Sequence, residues 1–70
     1  MIQHAPLTRS EFIAEAKRQG FTLFIDHDGR RRPIDRLPVS FDHYAFKRIR
    51  EHTMVNLYED GRLAGTLGLR

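Results

Sequence analysis

The sequence predicts an α+β fold, a two-layer α-β-β-α-β-β order in which an antiparallel sheet carries two helices on one face. Three observations lead there. A full helix-start signal lies at Leu7 to Phe12, two Asp-Gly pairs at 28–29 and 60–61 each divide two strand-like runs, and a second amphipathic stretch follows Ser40.

The first helix is expected over about 8–19. Thr8 and Glu11 have capping-box spacing, in which hydroxyl and carboxylate each satisfy a backbone N–H that the helix leaves unpaired. Leu7 and Phe12 fit the hydrophobic staple that accompanies such a start. Phe12, Ile13 and Ala16 share a side, Glu15, Lys17 and Arg18 face water, and Gly20 supplies a left-handed stop.

Phe21 to Asp26 reads as a strand with Phe21, Leu23 and Ile25 on one face, which sends Phe24 to the other. Asp28-Gly29 turns the chain. The return strand, about 30–36, holds Arg30-Arg31-Arg32-Pro33 and is expected at a sheet edge, since proline donates nothing to a ladder and three charges cannot all be buried. Asp26 can pair with an Arg across this hairpin.

A second helix is expected from Ser40 to near His52, with Phe41, Ala45 and Ile49 on its inner face and His43, Lys47 and Arg50 as a basic stripe. The last hairpin pairs about 53–58 with 62–69. A two-residue turn would set Leu57 opposite Ala64. A three-residue loop, Glu59-Asp60-Gly61, pairs Leu57 with Leu63 and unites Val55, Leu57, Leu63, Leu67 and Leu69, so it is the expected register. The halves also echo each other at an offset of 32: Phe12 falls on Tyr44, Leu23 on Val55, Ile25 on Leu57, and Asp28-Gly29-Arg30 on Asp60-Gly61-Arg62.

The 70 residues suit a single domain, 1–70. Without cysteine, neither disulfides nor thiolates reinforce it, which makes a second copy of the chain a candidate partner. No run approaches the ~18 apolar residues of a membrane span. Met1 to Leu7 lacks a signal-peptide pattern, so the expected compartment is the cytoplasm. The net charge is +3, and ten of the twelve basic residues are Arg, which suits nucleic acid or an acidic protein surface.

Chemistry-bearing groups are sparse. Asp26 and Asp28 could face one divalent cation, yet the turn accounts for Asp28, and one hairpin offers too few ligands. Of His4, His27, His43 and His52, only His43 finds a catalytic neighbour, Lys47 one helical turn away; RNA cleavage would need such a pair. Ser10 and Ser40 are explained by helix starts. No phosphate-binding loop or nucleophile elbow occurs. The expectation is a non-enzymatic chain with no cofactor and no metal.

The step Arg18-Gln19-Gly20-Phe21 resembles the helix-to-strand passage of HicA-type RNA-cleaving toxins. That family's Gly-Ser-His motif is absent, with His27-Asp28-Gly29 nearby instead, so its activity does not carry over. Residues 10–52 are similar to small docking domains of the tubulysin-synthase kind, through a helix ending in Gly, the Asp28-Gly29-Arg30 turn and a second helix bearing Arg50-Glu51-His52. The last hairpin departs from that pattern.

Binding is therefore the expected mode. Arg30, Arg31 and Arg32 on an edge strand could meet phosphates or protein carboxylates. His43, Lys47 and Arg50 form a second basic region. Phe24, Met54 and Tyr58 would make a contact patch on the uncovered sheet face. The expected function is a small modulator that occupies a protein partner's surface, by analogy with phage- and plasmid-encoded inhibitors such as anti-CRISPR proteins. A basic nucleic-acid-binding protein and a small metal-free RNase are the alternatives.

Overall fold

Helix α1 (Arg9–Arg18) begins where its end signals place it. In the computed structural model, which describes residues 6–26 and 28–70, the Thr8 hydroxyl accepts the Glu11 amide at 3.4 Å. The Glu11 carboxylate in turn accepts the Thr8 amide at 3.0 Å, completing the capping box. Gly20, at φ +91, ends the helix: the Phe21 amide reaches the Ala16 carbonyl at 2.9 Å and the Gly20 amide reaches that of Lys17 at 3.0 Å. These two bonds are a Schellman closure. Phe12 and Ala16 are fully buried, and Leu7, Ile13 and Phe21 pack around them.

Six strands make one antiparallel sheet: β1 (Leu7–Thr8), β2 (Leu23–Ile25), β3 (Arg31–Pro33), β4 (His43–Ile49), β5 (His52–Glu59) and β6 (Arg62–Leu69). Their spatial order is β1-β4-β5-β6-β2-β3. The proline-bearing strand β3 lies at an edge, as a strand lacking one donor should. It is shorter than expected, because a single 3-10 turn (Ile34–Arg36) takes over after Pro33 and buries Ile34, followed by Leu37.

The expected second helix is instead strand β4. Tyr44 and Phe46 enter the core, while His43, Ala45 and Lys47 alternate to the other face. The spacing of Phe41, Ala45 and Ile49 suits a helix, but aromatic side chains at alternate positions gain more by packing on a pleated surface. A ladder from His43↔Tyr58 to Ile49↔His52 joins β4 to β5, and the turn between them is Arg50-Glu51, with Arg50 at φ 56. Among the described residues the fold is thus α+β with one α-helix, in the order β-α-β-β-β-β-β. The docking-domain resemblance, which needs a helix at 50–52, fails at that point.

The last hairpin keeps one core by another route than the expected three-residue loop. Asp60 and Gly61, at φ 54 and 76, form a two-residue turn closing Glu59↔Arg62 and Tyr58↔Leu63. A β-bulge between Leu57 and Tyr58 then shifts the register, so that Leu57 pairs with Gly65 and Val55 with Leu67. Leu67 and Leu69 stay inside, whereas Leu63 lies before the bulge and is 58% exposed.

Strand β2 is reversed relative to expectation. Phe24 is fully buried opposite Leu69, and Leu23 and Ile25 face outward. The 32-residue echo therefore holds for the two Asp-Gly hairpins but not for α1 against β4. It also matches outward Ile25 with inward Leu57.

The core joins Phe12, Phe24, Tyr44, Phe46, Val55 and Leu67. The Phe12 ring stacks on Phe46 at 4.6 Å and lies 5.5 Å from Tyr44. Tyr44 donates its hydroxyl to the Pro38 carbonyl, which pins the segment before β4; burial, the larger influence, pushes its phenol pKa up.

Hydrogen bonds from the Thr8 amide first, then from its hydroxyl, hold the Glu11 carboxyl below its ordinary range. The native state thus binds this proton less readily than the unfolded chain, and the stability it confers is present above the unfolded pKa of about 4.3 and lost as pH falls through the lowered value. The excess in Tm of the parent over Glu11→Gln should therefore shrink between neutral pH and pH ~3. Separately, Gly65 has no positive φ, and an added Cβ would lie 3.8 Å from its nearest neighbour, Leu57 Cδ1. Gly65→Ala should raise stability by about 0.5 kcal/mol in urea unfolding, whereas Gly61→Ala should lower it by about 1 kcal/mol or more.

Candidate functional site

The helix covers the sheet face that bears Tyr44 and Phe46, and the opposite face is the candidate site. Its composition follows from register alone. One row of cross-strand partners reads Lys47, Met54, Gly68, Ile25 and Arg31, and a second reads Ala45, Asn56 and Thr66. His43, Tyr58 and Leu63 form a third, and Ile49 opposite His52 continues the apolar side.

Large apolar groups are unusually open here. Of the four exposed large hydrophobics among the described residues, Leu23 (36%), Ile49 (43%) and Leu63 (58%) all project from this face; Val39 sits in a loop. Met54, Ile25 and Tyr58 are half-buried between them. The middle is closed and polar, with Ala45 and Asn56 buried and Thr66 donating its hydroxyl to Asn56 Oδ1 at 3.3 Å.

Among the described residues no strand residue pointing to this face is acidic, while Lys47 and Arg31 bring fixed positive charge from opposite sides. Glu11 lies at the rim, where it accepts the Thr8 hydroxyl at 2.9 Å and feels the charge of His43.

The structure divides the expected contact residues. His43, Lys47 and Tyr58 share the open face, with His43 directly opposite Tyr58, and Arg31 stands on its far edge. Arg50 is exposed at the β4–β5 turn and Arg30 beside the Asp28-Gly29 turn, where Asp28 accepts its amide at 3.1 Å. Arg32 turns to the helix side and meets Asp26 at 3.2 Å, the cross-hairpin pair read from sequence. Phe24 presents nothing to a partner, because the reversal of β2 encloses it. His43 and Lys47 do not share a helical turn either: four residues of strand separate them by about 13 Å, too far to act as an acid–base pair on one phosphate. His4 and His27 lie outside the described residues.

Leu23, Ile25, Ile49 and Leu63 were not legible as contact residues. The signal for Leu63 was the Asp60-Gly61 dipeptide, whose strong preference for a two-residue turn puts Leu63 on the side of Tyr58. On the helix side, a concavity of about 470 Å³ lies between Pro38, Phe41 and Gly65, with Asp26 as its charged wall. Among the described residues no group of three or more His, Asp or Glu could hold a metal ion, and no helix is long and apolar enough to cross a membrane.

The arginine run should accordingly split in mutagenesis. Arg32→Ala should lose about 1 kcal/mol of stability with its partly buried pair, whereas Arg30→Ala and Arg31→Ala should stay within about 0.5 kcal/mol of the parent in urea unfolding. No protein-family model, no curated protein and no solved structure matches this chain.

Proposed function

We propose that this chain is a non-enzymatic binding module that acts by occupying a protein partner's surface with the open face of its sheet. The observation that carries the reading is the collection of Leu23, Ile49 and Leu63 on the one face that the helix leaves bare. Scattered apolar residues are ordinary on a protein surface, but here Ile49 and Leu23 line one end of the face and Leu63 the other, with Met54, Ile25 and Tyr58 half-buried between them, and an apolar share of this size on one face has the character of an interface. Blocking a partner requires only such a surface and no reacting group. That fits the modulator class to which phage- and plasmid-encoded inhibitors, anti-CRISPR proteins among them, belong; the tie to that class is by analogy of size and charge.

Nucleic-acid binding is the second reading, favoured by the lack of acidic strand residues on the face and by His43, His52 and Tyr58 as ring-bearing side chains. The aliphatic groups argue for protein, since base-stacking platforms offer successive aromatic rings and this face has one Tyr.

The test is a capture experiment from cell lysate with a matched control. Ile49→Asp with Leu63→Asp changes two exposed positions and should leave stability within about 1 kcal/mol while abolishing capture of any specific protein partner. Lys17→Asp with Arg18→Asp, on the helix, should leave capture intact; equal behaviour of the two variants defeats the proposal. Fluorescence anisotropy with duplex DNA and single-stranded RNA decides the second reading. Binding that weakens about a thousandfold between low and moderate salt would establish phosphate recognition in place of a protein partner.

A further inference from the structure

The row Lys47, Met54, Gly68, Ile25 and Arg31 has a feature that narrows the partner's chemistry. Gly68 sits at its centre and has no positive φ, and a Cβ placed there would lie 3.8 Å from Ile25 Cβ. Neither turn geometry nor crowding therefore requires glycine. Its missing side chain leaves a dip between the half-buried Met54 and Ile25, with Leu23 and Ile49 exposed along one flank. At each end of the row stands a cation, and the two are separated by four strand spacings, about 19 Å.

We propose that this row receives an aliphatic side chain of a partner protein segment that carries carboxylates on both sides of it. The aliphatic group fills the dip at Gly68, and the carboxylates meet Lys47 and Arg31. This rests on the open face being the contact surface and adds the charge and polarity of what docks there. Charge complementarity argues for it: the strand residues facing this way include cations and no acids, so an acidic segment gains at both ends. A second copy of the chain is a poor match, because two such faces would bring like charges together. A helical segment of about 13 residues spans the distance between the cations.

The probe is a helical peptide with a central Leu and a Glu seven residues to either side, titrated into ¹⁵N-labelled full chain to about 2 mM and followed by amide shifts, which report weak binding. Shifts centred on Lys47, Met54, Gly68, Ile25 and Arg31 are expected. Lys47→Glu with Arg31→Glu should weaken the Glu peptide about tenfold or more and strengthen the same peptide carrying Lys in place of Glu. Gly68→Val should keep or raise Tm, because a β-branched residue suits a strand, yet lose the peptide.

If both peptides shift the face equally, or the charge reversal has no effect, the face remains a contact surface and the carboxylate assignment falls. Tighter binding of a 15-residue oligouridylate on the same residues, or self-association through them, replaces the acidic segment with a different occupant. Shifts that map elsewhere on the molecule, or none at all, overturn the use of this face altogether.

Discussion

The contact of Phe12 with Phe46, on which its ring stacks, and with the tilted ring of Tyr44 is the one on which the remaining architecture depends. Among the described residues a single α-helix covers a six-stranded sheet, and this aromatic layer fixes which face it covers. The capping box and staple set where Phe12 sits on the helix, and the alternation of β4 sets the two rings that receive it. Once the helix lies there, that side of the sheet is the core, which accounts for the inward Phe24 and for the bulge that keeps Leu67 and Leu69 inside.

The bulge shows how a local preference and a global one are reconciled. Asp60-Gly61 favours a two-residue turn, and with an uninterrupted ladder that turn would send Leu67 to the face opposite Val55. The extra residue inserted near Ala64 restores the register beyond it, at the cost of leaving Leu63 outside. The exposed Leu63 is thus a by-product of satisfying both demands, and it is also part of what gives the open face its apolar character.

Legibility in the sequence followed the locality of the signal. Helix α1, the positions of both Asp-Gly turns, the edge position of β3 and the pairing of Asp26 with an Arg across its hairpin were readable because each rests on residues a few positions apart; the length of the Asp60-Gly61 loop was not. Strand β4 was not, since Phe41, Ala45 and Ile49 obey a helical spacing while Tyr44 and Phe46 obey a strand spacing, and the choice belongs to Phe12, some thirty residues earlier. The orientation of β2 was hidden for a like reason: Phe21, Leu23 and Ile25 alternate well, but Phe24 is the residue that fits against Leu69. Of the candidate surface, the basic residues and Tyr58 were visible as residue types. The aliphatic part depended on registers that only the assembled sheet reveals.

The strand order also bears on how the chain reaches its fold. Strand β6 lies between β5 and β2, so the N-terminal hairpin has no place in the sheet until β6 is available. The Phe24↔Leu69 pairing spans about 45 residues, and the backbone bonds of Arg70 with Leu23 join the same distant segments. Such pairings carry a large loop-closure entropy before any packing compensates for it, which slows folding relative to a helical domain of equal length. On the ribosome, Phe12 can meet Tyr44 and Phe46 once β4 has emerged, whereas the β2–β3 hairpin must wait for the β6 segment, leaving Phe24 exposed in the interval.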